Sequence, residues 1–396
     1  MVLSVCFIDT ECRLFYNYII MDFCAMSRRK VDMKINLIGD LQEIMSNSRG
    51  KHNYFAWPTV ARLQDGKIAV VASGYRRRHI CPFGKTVISY SYDEGSTYTL
   101  PAPVVDTVLD DRDGGIVPFG DKNVIVTSFN NKIVFQRKYA DAYDNAYLDT
   151  ITPKEEEDAL GVNFRISNDY GMTFGKMYKS PVTSPHGPIE LPDGTILWVG
   201  RVFNPLDVEE KEDEYIKVYK LNPKDGSMEF LSQFENIDYE GTKTLSCEPH
   251  CIVLDDGRIL CHIRVQTYYF GVDPKTIFTI FQTESADNGK TWTEPKQILE
   301  QQGGAPPHLF RHSSGMLICT YGYRQTPFGI KVMFSKDEGK TWDTDNDLYI
   351  NHVSDDIGYP STIELKDGSL LTVFYARTAK DKPCTIVQQK WSFEND

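Results

Sequence analysis

The chain has 396 residues, with 43 Lys and Arg against 55 Asp and Glu, a formal net charge of −12. That negative surplus excludes nucleic acid as a general partner, and 41% hydrophobic residues supply ample material for a core. Length alone suggests two or three domains, but a repeat architecture can use it as one.

Residues 1–32 differ from the rest. The apolar runs at residues 6–8 and 15–20 are short and separated by Asp9, Glu11 and Arg13, and the basic cluster Arg28-Arg29-Lys30 follows them. This is a poor signal peptide and too interrupted to insert into a membrane. We expect an extension outside the domain or a mis-assigned start, since Met21, Met26 and Met33 offer later ones; a cleaved leader is the alternative. The nine cysteines are odd in number and form no Cys-x-x-Cys pair. A zinc reading of Cys247, His250 and Cys251 lacks a second ligand pair at finger spacing, so no metal and no cofactor is expected. Reduced cysteines favour a cytoplasmic location, with secretion as the alternative if the first residues are a leader.

From residue 33 onward two repeats overlap. Tight turns recur at Asp65-Gly66, Gly120-Asp121, Asp193-Gly194, Asp256-Gly257, Ser314-Gly315 and Asp367-Gly368, about 60 residues apart, each flanked by β-rich arms. The second repeat reads Ser-x-Asp-x-Gly-x-Thr-aromatic. It occurs at residues 91–98 (SYDEGSTY), 167–174 (SNDYGMTF), 285–292 (SADNGKTW) and 335–342 (SKDEGKTW), with a worn version at Asp225-Gly226 and none in the sixth unit. Its Asp can bond the amides of its own turn, its Gly can take positive φ, and its aromatic can pack beneath. We read these as turn staples, not catalytic groups. One unit of this size makes a four-stranded antiparallel sheet that cannot bury both faces alone. Six packed radially predict one all-β domain over residues 33–396, a six-bladed β-propeller. Closure should pair residues 35–38 with residues 385–391. The acidic stretch 139–160 reads as a partly helical surface excursion.

Both arms of a hairpin have their free ends opposite the turn. Counting outward from each turn therefore gives one rim. The arms begin near Ala56-Trp57, Arg112-Asp113, Pro185-His186, Glu248, Pro307-His308 and Tyr359, and end near Arg76, Arg77, Arg78, Asn130-Asn131, Arg201, Arg264, Arg324 and Arg377. Arginines in five of six units predict a cationic funnel suited to a carboxylate, because the guanidinium fork pairs with both oxygens.

The repeated Ser-x-Asp-x-Gly-x-Thr-aromatic skeleton is the Asp box, and its fourfold occurrence resembles the sialidase (neuraminidase) superfamily across nearly the whole propeller. The segment from Cys247-Glu248-Pro249 to Ile263-Arg264 looks like that family's Glu-to-Arg hairpin. The resemblance implies that Glu248 assists a nucleophilic Tyr359, and that Arg264 with Arg324 or Arg311 belongs to an arginine triad holding the sugar carboxylate. A tyrosine suits such a substrate, since a neutral nucleophile is not repelled by the carboxylate. The departures are as clear. Phe55-Ala56-Trp57-Pro58 stands where sialidases have Phe-Arg-Ile-Pro, so the first triad arginine is Ala56. The loop that carries their acid/base Asp reads RRRHICPFGK over residues 76–85, without a carboxylate. One of Arg76, Arg77 and Arg78 is expected to restore the cation. Asp113 is the first choice for the acid and Asp111 the second, ahead of Asp355 and Asp356. Trp57 should offer a sugar-stacking face, and His79, His250 and His308, with His186, approach the mouth as acid/base or sugar-binding groups. The reading is a glycoside hydrolase that takes a terminal, acidic sugar from a glycan. The rivals are a lyase on uronate glycans and a non-catalytic glycan-binding propeller. Sugar identity, linkage and oligomeric state are left open.

Overall fold

A computed structural model describes residues 33–395 except 49, 205–214, 235–236, 240, 268–276 and 301–302. Expectations for residues 1–32 lie outside the described residues. Six antiparallel sheets follow one another along the chain. Their innermost strands are Tyr54–Arg62, Arg112–Phe119, the split pair Val182–Thr183 and Ile189–Glu190, Thr242–Val253, Gly304–Arg311 and Ile357–Glu364. Many of the strands are rich in β-branched and aromatic residues, and apolar clusters fill the spaces between neighbouring blades, as where Val71 and Ile88 of blade one meet Val124 and Val126 of blade two. The predicted turns are present: Gly66, Gly194, Gly257, Gly315 and Gly368 each donate a backbone bond three residues back.

Closure occurs as predicted. The strand Met33–Met45 is the outer strand of blade six and pairs antiparallel with Thr385–Asn395, with Leu37 opposite Trp391. Both ends of the propeller thus share one sheet, which removes two open edges.

The four repeated turns are built alike. Asp93, Asp169, Asp287 and Asp337 each accept a backbone N–H, at 2.8–2.9 Å, and a hydroxyl from the Thr four residues on. Each Gly donates to the first Ser of its turn. Each of these glycines also does something the sequence does not announce. Its carbonyl accepts a bond from a side chain of the preceding blade: Gln388 to Gly95, Tyr90 to Gly171, Ser232 to Gly289 and Gln282 to Gly339. The turns are staples between blades as well as within them.

The excursion in blade two is helical over Ile133–Gln136, Ala142–Leu148 and Pro153–Ala159. It is more than surface decoration, because it carries the fully buried Asp144 to the arginine loop of blade one.

Candidate active site

A cavity of about 240 Å³ opens at the rim where the inner strands begin. Its wall includes Trp57, His79, Arg112, Asp113, Arg201, Glu248, Arg264, Gln266, Arg324 and Tyr359. Four of these residues share a backbone signature. Trp57, Asp113, Glu248 and Tyr359 have φ of 54°, 48°, 49° and 52°, a left-handed conformation that non-glycine residues avoid. Each falls inside a break of strand register, at Ala56/Thr59, Arg112/Gly115, Cys247/His250 and Gly358/Ser361. One residue is extruded per inner strand, which turns its side chain out of the sheet's alternation. Four blades use the same device at the same cavity.

At the base of the cavity the Tyr359 hydroxyl donates a short bond to Glu248 Oε1. Arg264 Nη1 donates to Glu248 Oε2 at 2.5 Å, and Arg264 Nε to Gln266 Oε1 at 2.9 Å. Arg324 is held by Tyr375 Oη at 3.0 Å and the Ile357 carbonyl at 3.1 Å, with its guanidinium 5.9 Å from the centre of the Tyr359 ring. Burial pushes the Tyr359 hydroxyl well above its ordinary range; the charges of Glu248 and Asp113 add to this, while Arg264 and Arg324 oppose it. The phenol is therefore neutral at rest, with a carboxylate in place to take its proton. Four guanidinium groups face two carboxylates around the wall, so a net-acidic protein presents a cationic pocket.

The hairpin counting brings together Tyr359, Glu248, Asp113, Arg264, Arg324, Arg201 and Trp57, and His79 joins them from the following loop. Other candidates lie elsewhere. Arg76 is fully buried in an ion pair with Asp110 at 2.5 Å. Arg77 and Arg78 pair with Asp141 and Asp144 of the helical excursion. None of the three lines the cavity, so none restores the missing cation. Asp111 is fully buried and bonded to the Thr107 amide at 2.6 Å and to Asn130 at 3.1 Å; burial pushes its carboxyl up to about 7. It is absent from the cavity wall. Arg377 is absent from the wall, and its carbonyl accepts from Asn351. Arg311 sits at the opposite, turn end of blade five, paired with Glu338 at 2.6 Å. His250 and His308 do not reach the mouth. With His186 they form a cluster, ring centres 4.6–5.2 Å apart, in which His186 and His308 are buried and His250 is half-buried. Trp57 lines the wall but is 2% exposed, and its ring carries the guanidinium groups of Arg112 at 4.2 Å and Arg76 at 4.7 Å. It holds cations and offers no open stacking face. Sequence reasoning placed Arg112 on the rim but gave it no role, and missed Gln266. Arg112 lies over the Trp57 ring, and its place immediately before Asp113 was the available signal.

This fold is that of a sialidase-like propeller. The chain belongs to the BNR repeat-like domain family, whose pattern matches residues 125–372. No curated protein matches the chain. Among solved structures it resembles a Dyadobacter fermentans protein of unknown function (TM-score 0.69, 17% identity, 90% of this chain and 100% of that one). It also resembles the NanB sialidase of Streptococcus pneumoniae (0.63, 12%, 90% and 71%) and an α-L-arabinofuranosidase of Fusarium graminearum (0.53, 12%, 90% and 97%). These likenesses establish the fold.

Proposed function

We propose that the cavity is the active site of a glycoside hydrolase that releases a terminal sugar bearing a carboxylate, such as a sialic acid or another ulosonic or uronic acid. The Tyr359–Glu248–Arg264 chain of hydrogen bonds carries this reading. Tyr359 Oη attacks the anomeric carbon as its proton passes to Glu248, and the bond to the leaving oxygen breaks as that oxygen gains a proton. Water then displaces the tyrosine, which recovers its proton from Glu248. Two displacements retain configuration. Arg264, Arg324, Arg201 and Arg112 supply the cations for the sugar carboxylate. At about 240 Å³ the cavity falls below the roughly 300–1,000 Å³ of drug-sized sites, which suits one terminal residue and not an internal stretch of glycan.

Asp113 and His79 are the wall groups able to hold the proton for the leaving oxygen. A second reading, a lyase acting on a uronate, is favoured by the imidazole at the mouth, which could remove a carbon-bound proton while arginines neutralise the carboxylate. The two readings separate on one panel. Wild type and Tyr359→Phe are incubated with sialosides, other ulosonides and uronides, and products are followed by proton NMR and ultraviolet absorbance. A released acidic sugar of retained configuration, lost in Tyr359→Phe, supports the hydrolase. A new absorbance from an unsaturated sugar selects the lyase, and binding without turnover selects a glycan-binding protein.

A further inference from the structure

We infer that His79, oriented by Asp356, is the group that gives a proton to the leaving oxygen and takes one from the incoming water. This rests on the hydrolase reading above. His79 stands on the loop between strands Ile68–Arg76 and Lys85–Ser91, at the cavity mouth. Its Nδ1 lies 3.2 Å from Asp356 Oδ1 and 3.1 Å from Tyr54 Oη. The Tyr54 hydroxyl donates to Asp356, at 2.9 Å to Oδ2 and 3.1 Å to Oδ1, so its single hydrogen is already committed. An ionised carboxylate only accepts. Both neighbours of Nδ1 are therefore acceptors, and Nδ1 must carry a hydrogen. That leaves Nε2 as the nitrogen that gains and loses a proton.

Asp356 is itself fixed. Cys384 Sγ donates to its Oδ2 at 3.2 Å, and hydrogen bonds from His79, Cys384 and Tyr54 hold its carboxyl well below the ordinary range although burial alone would raise it. The imidazole packs edge-on against Trp57, ring centres 4.9 Å apart, so it cannot swing freely. The charged and titratable groups facing it are Asp356, Tyr54, Arg112 and Arg76. Packing around the ring, with Arg112 and Arg76, lowers its basicity, and Asp356 opposes this. Asp113, the alternative donor, is 8% exposed, whereas the His79 side chain is 47% exposed. A leaving glycan departs toward solvent, so the donor must stand at the mouth.

The steps balance. In the first, the glycosidic C–O bond breaks and its oxygen takes the Nε2 proton of imidazolium while Tyr359 forms the new C–O bond and Glu248 takes the phenol proton. In the second, neutral His79 takes a proton from water as the water oxygen bonds to the anomeric carbon, and Tyr359 leaves, taking its proton back from Glu248. His79 is thus a catalytic residue and Asp356 a positioning one.

The test uses the 4-nitrophenyl and methyl glycosides of the acidic sugar that the wild type releases. Nitrophenolate needs little protonation, whereas methoxide needs it fully. His79→Gln should slow the methyl glycoside at least 100-fold and the nitrophenyl glycoside only a few-fold. Asp113→Asn should slow both alike. Asp356→Asn should move the alkaline limb of the kcat/KM profile to lower pH, because imidazolium loses its counter-charge; a purely structural role would leave that limb in place. Equal losses on both glycosides for His79→Gln, or the selective loss in Asp113→Asn, overturn the inference and leave the hydrolase reading intact. A wild type that releases no acidic sugar overturns the reading and the inference with it.

Discussion

Trp57, Asp113, Glu248 and Tyr359 each hold a left-handed backbone at the cavity, a conformation that costs on the order of 1–3 kcal/mol per residue. Strain repeated in four blades around one site ties the active geometry to a loss of stability. Asn tolerates this conformation better than Asp, so Asp113→Asn should melt at the same temperature or slightly higher while turnover falls; a lower melting temperature would contradict strain at this position. Arg264→Ala removes the guanidinium that holds Glu248. It should lower kcat/KM by at least 100-fold, corresponding to about 3 kcal/mol or more, with the melting temperature little changed, as steady-state kinetics and calorimetry would show. Counting residues outward from turns was enough to gather Tyr359, Glu248, Asp113, Arg201, Arg264 and Arg324, because hairpin geometry is local. It failed for Arg77 and Arg78, whose acidic partners Asp141 and Asp144 arrive from a helical excursion more than 60 residues away. It failed for Asp111 because that residue precedes its strand and is captured by the turn at Thr107.

The repeated turns make a comparison possible between local and inter-blade roles. Gly289 and Gly194 both have positive φ, 85° and 80°. A methyl group on Gly289 would stand 3.0 Å from Leu197 of blade three, whereas one on Gly194 would meet nothing within 4 Å. Both alanine variants incur backbone strain of order 1 kcal/mol, and only Gly289→Ala also forces two blades apart. Chemical denaturation should show Gly289→Ala to be the less stable by a further 1–2 kcal/mol; equal losses would reduce the turn to a local device. The within-turn half of this design was legible, since Asp, Gly and Thr sit at fixed spacing. The inter-blade half was not. Gln388, Tyr90, Ser232 and Gln282 share no residue type and become partners only through packing.

At the scale of the ring, closure makes the blades interdependent. Deleting residues 384–396 removes the strand that pairs with both Met33–Met45 and Leu370–Ala376. The truncated chain should lose its cooperative melting transition altogether. The ring also gathers buried histidines. Burial lowers His186 and His308 well below their ordinary range, and His250 and His262 to about 3. These groups are neutral when folded and take up protons in the unfolded chain below about pH 6.5. Stability is therefore full above that pH and falls as pH drops below it, each histidine adding to the slope. Asp111, raised to about 7, acts in the opposite sense between pH 4 and 7, but four histidines outweigh one carboxyl. Melting temperatures should fall steeply between pH 6.5 and 5, and less steeply in His308→Gln; a flat profile would contradict the neutral cluster.

The seam in blade six has a topological consequence. Met33 lies directly across from Asn395 on adjacent strands, so a linker of a few residues would join the two ends of the propeller as an ordinary hairpin. New ends could then be cut at the open turn beside Gly194. Such a circular permutant keeps all of the described ladders and cross-blade bonds, with its seam moved to blade three. Blade numbering would change and the circle of contacts would not, since the cavity belongs to the ring as a whole and to no particular starting point.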